Sequence, residues 1–522
     1  MKELTKKYPV KISELCFYTF FVSLLSAKGI GLYDGQTLFK VFLIISLLGW
    51  GAKFFLTEFT WRELLLCILP VTLGCVIYLN TGEKGALFCL LLLSGMKGMQ
   101  VKRVFQTGLV TWILSFGGLF LVTSLHLADS PFKVHDKLGL GRIIRWSLGY
   151  AHPNVLHISC LILVCFVVYL MGERFRPRSF VFLMLVNLYV FMYSLSSTGF
   201  LAVSFLLSLA LYWSFRHKFC RAERIAIQFF LPGCLFLSLA APVILEGKAF
   251  SFVNKLVNNR LILSKWFLQN QPVRLLGVNT GGLVTSLRTM DNSYVFAWIT
   301  YGLVFFILAA TAYMALIYKK TREQDGVSLC LILACLFAGV TEPFLFNTSF
   351  KNITIIFIGS MVFSPQKGEG KNRVPLLGRY DRELVIKLPN VERIGKEMRK
   401  AVSGYGKKLF AGAVFAGVLA GVLCFLSAKM PQRYILPQTA FEETGDLGEI
   451  YYLTSIEDVP QEGDTILGYK DKDTAMVAFA GNIAKVERFR NTVCWTVITV
   501  FSVYGLGMIS LWIKSIRVRT VE

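Results

Sequence analysis

The sequence is poor in charge, and poorest in acid. Charged residues make up 17% of the chain, against roughly 25% in a typical soluble domain. Acidic residues number 32 and basic ones 55, for a formal net charge of +23. Apolar runs of about 18–20 residues recur, each long enough to cross a hydrocarbon core of roughly 30 Å, so an ordinary soluble domain is excluded. The runs lack the period-2 alternation of barrel strands and read as helices. The twelve cysteines include no C-x-x-C pair, and all but Cys220 fall within apolar runs; this argues against a disulfide framework and a cysteine metal site. No small-x-small cleavage site follows the basic N-terminus, so the first run reads as a retained span. No inverted repeat and no matched pair of broken helices is present, which argues against a transporter. The positive charge would point to nucleic acid in a soluble protein. Here it marks cytoplasmic links and contact with membrane lipid, and no nucleic-acid partner is expected.

What is present is an order of spans. They are expected at about 12–28, 37–56, 63–80, 84–97, 104–125, 154–172, 179–195, 197–215, 225–245, 291–318, 327–341 and 350–364, then at about 409–428 and 492–513. With the N-terminus inside, the links at 97–103, 172–179, 216–224 and 319–326 are cytoplasmic, and all are rich in Lys and Arg, as the positive-inside rule requires. Both termini are then cytoplasmic. Three regions are expected: a polytopic membrane domain over 1–365, a basic, solvated cytoplasmic linker over 366–408, and two spans over 409–522. The last pair flanks a small α/β or β extracytoplasmic module at 429–490, which is acidic and carries strand-like runs such as GEIYYLTS. A module of that size is marginal alone and should dock on something.

Two outer stretches break the charge habit. Residues 246–291 carry Lys248, Lys255, Arg260, Lys265, Arg274 and Arg288, and residues 125–154 carry Lys133, Lys137, Arg142 and Arg145. Guanidinium forks suit a phosphate or diphosphate. Apolar residues recur near helical spacing from Phe250 to Leu268, which predicts one interfacial amphipathic helix with Arg260 and Lys265 near its polar boundary, ended by Gln271-Pro272. Four of the five histidines (His126, His135, His152 and His157) cluster, but their spacings do not resemble a usual zinc ligand set. No metal or other cofactor is expected. His152, at a helix entrance beside Asn154, suits a hydrogen-bonding or base role.

The run Arg145-Trp-Ser-Leu-Gly149-Tyr-Ala-His152-Pro153-Asn154 resembles an entry motif of the O-antigen polymerase/ligase superfamily. Ser194-Leu-Ser196-Ser197-Thr-Gly199 is similar to that family's S-x-S-R-x-G turn. Asn259-Arg260 with Trp266, Leu276-Gly277-Val278-Asn279, Asp291-Asn292-Ser293-Tyr294 and Tyr301-Gly302-Leu303 resemble its large outer loop and the helix after it. Glu342, in TEPFLFN, stands where the family often has an acidic residue.

The resemblance covers roughly residues 10–365. It implies an all-α, GT-C-like integral-membrane glycosyltransferase of the bacterial plasma membrane, metal-independent and inverting, whose donor is a polyprenyl-diphosphate-linked oligosaccharide on the outer face. It further implies that Arg260 and Arg288 hold the diphosphate, helped by Arg142 and Arg145, and that His152, Asp291 or Glu342 takes the proton from the attacking hydroxyl. Asn154, Lys265, Arg274 and Asn292 complete the expected substrate contacts. Partners would include a flippase and a chain-length regulator. Two departures stand out: Ser197 replaces the usual arginine, and Asp291 stands where the family's ligases often carry histidine. The second favours a polymerase of surface or capsular polysaccharide repeat units over a ligase acting on another acceptor; a lipid-linked oligosaccharide transporter, and a non-catalytic assembly or sensor protein whose working part is the C-terminal module, are the remaining alternatives.

Overall fold

The computed structural model describes residues 5–128, 130–136, 142–282, 289–364, 373–375, 377–389, 404–428, 430–431, 433–437, 440, 450–453, 465–467, 475–479 and 481–521. Its elements run β1 (Thr5–Lys11), α1 (Ile12–Gly29), α2 (Thr37–Leu56), α3 (Trp61–Thr81), α4 (Gly85–Gly95), α5 (Val101–Ser124), β2 (Phe132–Asp136), β3 (Arg142–Trp146), α6 (Pro153–Met171), α7 (Pro177–Ser194), α8 (Ser197–Arg216) and α9 (Arg221–Ile244). There follow α10 (Gly247–Leu256), α11 (Arg260–Asn270), α12 (Ser293–Arg322), α13 (Gly326–Gly339), α14 (Ile355–Val362), β4 (Glu383–Pro389), α15 (Gly406–Ser427), β5 (Arg433–Pro437), β6 (Ile450–Leu453), β7 (Thr465–Ile466), β8 (Ala475–Phe479) and α16 (Gly481–Val521).

Among the described residues, 10 helices are long and apolar enough to cross a membrane. The chain is therefore a mostly helical, multi-pass membrane protein. α4 (11 residues), α13 (14) and α14 (8) are shorter than that requirement. Contacts divide the chain into two compact units, one formed by 11–121 and 149–382, the other by 1–10, 122–148 and 383–522. Residues 122–148 thus group with the C-terminal spans and not with the rest of 1–365.

In the larger unit α6 is the central helix. Its apolar window is 61% buried, against 22% for α2 and for α3. Leu48, Leu69 and Leu79 on the latter point outward, as side chains facing lipid do. Inside the apolar mass, polar side chains pair across helices. His157 of α6 bonds Ser194 of α7 through Nδ1 and Asn187 through Nε2, both at 2.8 Å. Asn187 in turn donates to the Phe200 carbonyl and the Ser204 hydroxyl of α8. His157 is thereby a structural tie between three helices.

The two ends of this unit meet. Ser13 donates from its backbone N and its Oγ to the Asp381 carboxylate at 2.9 and 2.8 Å, and Ile12 N donates to the Arg382 carbonyl at 3.0 Å. The entry to α1 and the exit beyond α14 lie at one face, so an even number of crossings separates them. The basic link at 97–103 lies on the same side of the helices: Arg103 pairs with Glu14 at 3.3 Å, and Lys97 with Glu63. The linker is not wholly irregular, because β4 pairs with β1.

The interfacial helix expected over 250–268 is broken. Asn258 and Asn259 take left-handed φ values of 56° and 63°, a region that Asn tolerates because its short amide bonds locally. The Asn254 carbonyl accepts from Asn259 N at 2.8 Å, and its side chain bonds both Asn259 Oδ1 and Ile262 N. This elbow ends α10 and starts α11 in a new direction. Downstream, residues 274–278 are pinned onto α12: Leu303 N donates to the Arg274 carbonyl, Val304 N to Leu275 and Val278 N to Ile299. Gly277 and Gly302, both at φ +83°, make this approach; a Cβ on either would run into the other segment's backbone.

In the smaller unit, β2 and β3 form an antiparallel hairpin and β5–β8 a sheet of order β6-β8-β5-β7. The hairpin supplies the docking partner for α16: Trp146 Nε1 donates to Glu487 at 3.0 Å. α15 packs on α16 through Gly417 and Gly421, where any side chain would meet Val500 or Thr496; this is the small-x-x-x-small contact of membrane helices.

Gly302→Ala should lower the thermal midpoint of the purified protein, because a left-handed Ala alone costs about 1–2 kcal/mol before the backbone collision. Gly51→Ala, which faces open space, should not. Equal midpoints for both variants would show that the 274–278 segment is not held as described.

Candidate functional site

Glu342 follows α13 in extended backbone, ahead of Pro343. It is 6% exposed. Its Oε1 accepts from Asn154 Nδ2 at 3.0 Å, Thr198 Oγ1 at 2.9 Å and Arg260 Nη2 at 2.9 Å. Its carbonyl accepts from Ser293 Oγ at 2.5 Å. Asn154, Thr198, Arg260 and Ser293 lie in the first turns of α6, α8, α11 and α12. Three segments far apart in sequence therefore converge on one carboxylate and a fourth on the backbone of the same residue, and the positive ends of helix dipoles converge with them.

Arg260 is not at a polar boundary as its helix spacing suggests. The elbow at 258–259 turns it inward, and it is 6% exposed. Its Nε–H has no acceptor among the described residues. Asp291 Oδ2 stands 3.9 Å from Arg260 Nη2, with 31% of its side chain exposed against 7% for Arg260 and 8% for Glu342. Asp291 is thus the outer carboxylate and Glu342 the inner one. Burial pushes the Glu342 carboxyl above its ordinary value, opposed by the Arg260 guanidinium and reinforced by Asp291.

His152 is the N-cap of α6. Its Nδ1 accepts from Asn154 N at 3.1 Å, so in the neutral ring the proton sits on Nε2 and that atom is a donor. This disfavours His152 as a base. Asn292 is likewise committed: its amide donates to Ser238 Oγ and the Val340 carbonyl at 2.9 and 2.8 Å, while its Oδ1 caps Tyr294 N and Val295 N. It holds the start of α12 and has no amide hydrogen left over for a substrate. Lys265 lies over the Phe250 ring at 5.1 Å. Arg274 is exposed and acts through its backbone carbonyl. Arg145 is buried in the smaller unit. Arg288 lies outside the described residues, as does the side chain of Arg142.

Two members of the site were not singled out from the sequence. Thr198 sits within the 194–199 turn, where the eye goes to the missing arginine at Ser197. Ser293 supports the Glu342 backbone from within the DNSY run. Gly199 lets α8 start against the His157 ring, where any Cβ would collide, and so sets Thr198 at its height. Among the described residues no group of three His, Cys, Asp or Glu side chains is arranged to hold a metal ion. The chain matches no family model, no curated protein and no solved structure.

The raised Glu342 value fixes a sign. A carboxyl whose folded value lies above its unfolded one stabilises the fold most below the unfolded value, and that contribution is lost as pH rises through the folded value. The wild-type thermal midpoint should therefore fall as pH climbs from about 4.5, and Glu342→Gln should lack that part of the slope. Parallel profiles for the two proteins would count against a titrating Glu342.

Proposed function

We propose that this chain is a polysaccharide polymerase of the O-antigen polymerase/ligase type, working at the outer face of the bacterial plasma membrane with both termini in the cytoplasm. Its fold would be GT-C-like, with twelve core crossings and two C-terminal ones. The observation that carries the reading is a buried arginine with an unengaged Nε–H, flanked by an inner and an outer carboxylate, at the helix starts of a multi-pass membrane protein. A guanidinium in that position suits the diphosphate of a lipid-linked sugar donor. No metal enters the reaction.

In the proposed step a hydroxyl oxygen of the incoming repeat unit attacks the anomeric carbon of the growing chain. The bond from that carbon to the diphosphate oxygen breaks, and the configuration inverts. Arg260 stabilises the charge that collects on the leaving polyprenyl diphosphate. Asp291 takes the hydroxyl proton, because it is the more exposed carboxylate and is not bound up in a helix cap as His152 is. Glu342 positions Arg260. The products are a lengthened lipid-linked chain and a free polyprenyl diphosphate.

Purified protein given a defined polyprenyl-diphosphate oligosaccharide should yield a ladder of longer products without added metal. Arg260→Ala should lower the rate about 100-fold or more while inserting normally, and Arg260→Lys should restore only part of it, since a point charge lacks the fork. Long polymer made by Arg260→Ala would overturn the reading. Asp291→Asn should cost about 10²–10⁴-fold and remove the acid limb of the pH–rate profile, whereas His152→Ala should keep that limb. The opposite result would exchange their roles.

A further inference from the structure

Two other buried cations lie at the same end of the larger unit. Lys351 is 2% exposed and Lys28 is 5% exposed. Lys351 Nζ donates to the Val155 carbonyl at 3.3 Å and lies 4.8 Å from the Tyr150 ring centre. Val155 adjoins Asn154, the Glu342 ligand, so Lys351 sits one residue along α6 from the site above. Lys28 Nζ donates to the Leu32 carbonyl at 3.3 Å and lies 3.9 Å from the Phe39 ring centre. Tyr150 joins the two positions, for its hydroxyl donates to the Gly29 carbonyl at 2.6 Å. The lysines are within electrostatic reach of each other.

Neither has a carboxylate within 4 Å among the described residues. The acid facing Lys28 is Asp34, held by Lys84 at 2.6 Å; the acid facing Lys351 is Glu342, held by Arg260 at 2.9 Å. Carbonyl oxygens and ring faces compensate a buried ammonium only in part. Two such groups within electrostatic reach raise each other's cost, and an anion bound by both would lower it.

We propose that Lys28 and Lys351 form a second anion site, which holds the diphosphate of the acceptor lipid while Arg260 holds that of the donor. The inference rests on the polymerase reading, because a polymerase must hold two lipid-linked diphosphates at once. On binding, Lys28 exchanges the Leu32 carbonyl for a phosphate oxygen, and Lys351 exchanges that of Val155. The link at 30–36 yields to admit the ligand by turning at Gly35 (φ +102°, open space around it), while Gly31 stays against the Gly149 carbonyl.

The test is a count of bound lipids by native mass spectrometry, with the full chain in neutral phosphatidylcholine nanodiscs and polyprenyl diphosphate as the probe. The wild type should take two, Lys28→Met/Lys351→Met one, Arg260→Ala one, and the triple variant none. Met keeps the length of the side chain and removes the buried charge, and a thermal midpoint checks folding. Should the Met pair fail to fold, Lys28→Arg/Lys351→Arg should still take two, and each single Met variant should weaken the second binding event about tenfold or more. Two lipids on the Met pair, or only one on the wild type, would overturn the second site and leave the Arg260 reading standing. No lipid on the wild type would overturn both. A parallel arm adds phosphatidylglycerol in place of the diphosphate; equal occupancy there would assign the lysines to bulk lipid headgroups and overturn the acceptor role.

Discussion

The buried ion pair between Arg260 and Glu342 is the contact on which the rest of the site depends. Each partner belongs to a different link between spans, and neither is solvated enough to stand alone. The pair survives burial because one carboxylate oxygen collects three donors, from Asn154, Thr198 and Arg260. Such a contact is costly to assemble and more costly to break. It therefore fixes where four helix starts stand relative to one another. What the pair contributes is registration, and the apolar packing of α6 against its neighbours contributes the mass that makes registration worth having.

The site is held by backbone devices as much as by side chains. The Asn258–Asn259 elbow turns Arg260 inward, the Asn292 and His152 caps fix the starts of α12 and α6, and the Gly277–Gly302 crossing ties the returning loop to α12. The elbow and the two caps lie at helix ends, where orphan N–H groups need partners. A membrane protein has little freedom to place polar groups within its spans. Helix ends are where it can do so, and a cluster of them gives a constellation set on rigid elements.

Much of the scaffold was legible in the sequence, since lipid demands long apolar runs and most run boundaries fall within a few residues of the helix ends; the exception is the last, expected over 492–513 and found as a helix over Gly481–Val521, whose first turns fall in the stretch assigned to the 429–490 module. Arg260, Asp291 and Glu342 were legible as unusual charges in outer links. Their contact was not, because it depends on the elbow: a helical apolar period continues through 258–259, and only the paired asparagines hint at left-handed backbone. The commitment of His152 and Asn292 to caps was equally hidden, as a capping residue and a ligand look alike until the neighbouring N–H groups are placed. The grouping of 122–148 with the C-terminal spans arises from pairing at long sequence separation, such as Trp146 with Glu487, for which no local pattern exists.

Charge balance connects the two anion sites. Arg260 faces two carboxylates, Glu342 and Asp291, so on its own this group carries more negative than positive charge and would repel a diphosphate. Protonation of Glu342 would correct part of that, and its burial favours the protonated form. The remainder has to come from other cations. Lys28 and Lys351 are the buried ones proposed above, and Arg288 is the further one that the family resemblance implies. A diphosphate arriving at the lysines would neutralise their charge and add its own, so it would raise the cost of a second one at Arg260, and donor and acceptor would bind with negative coupling unless further cations balance the site.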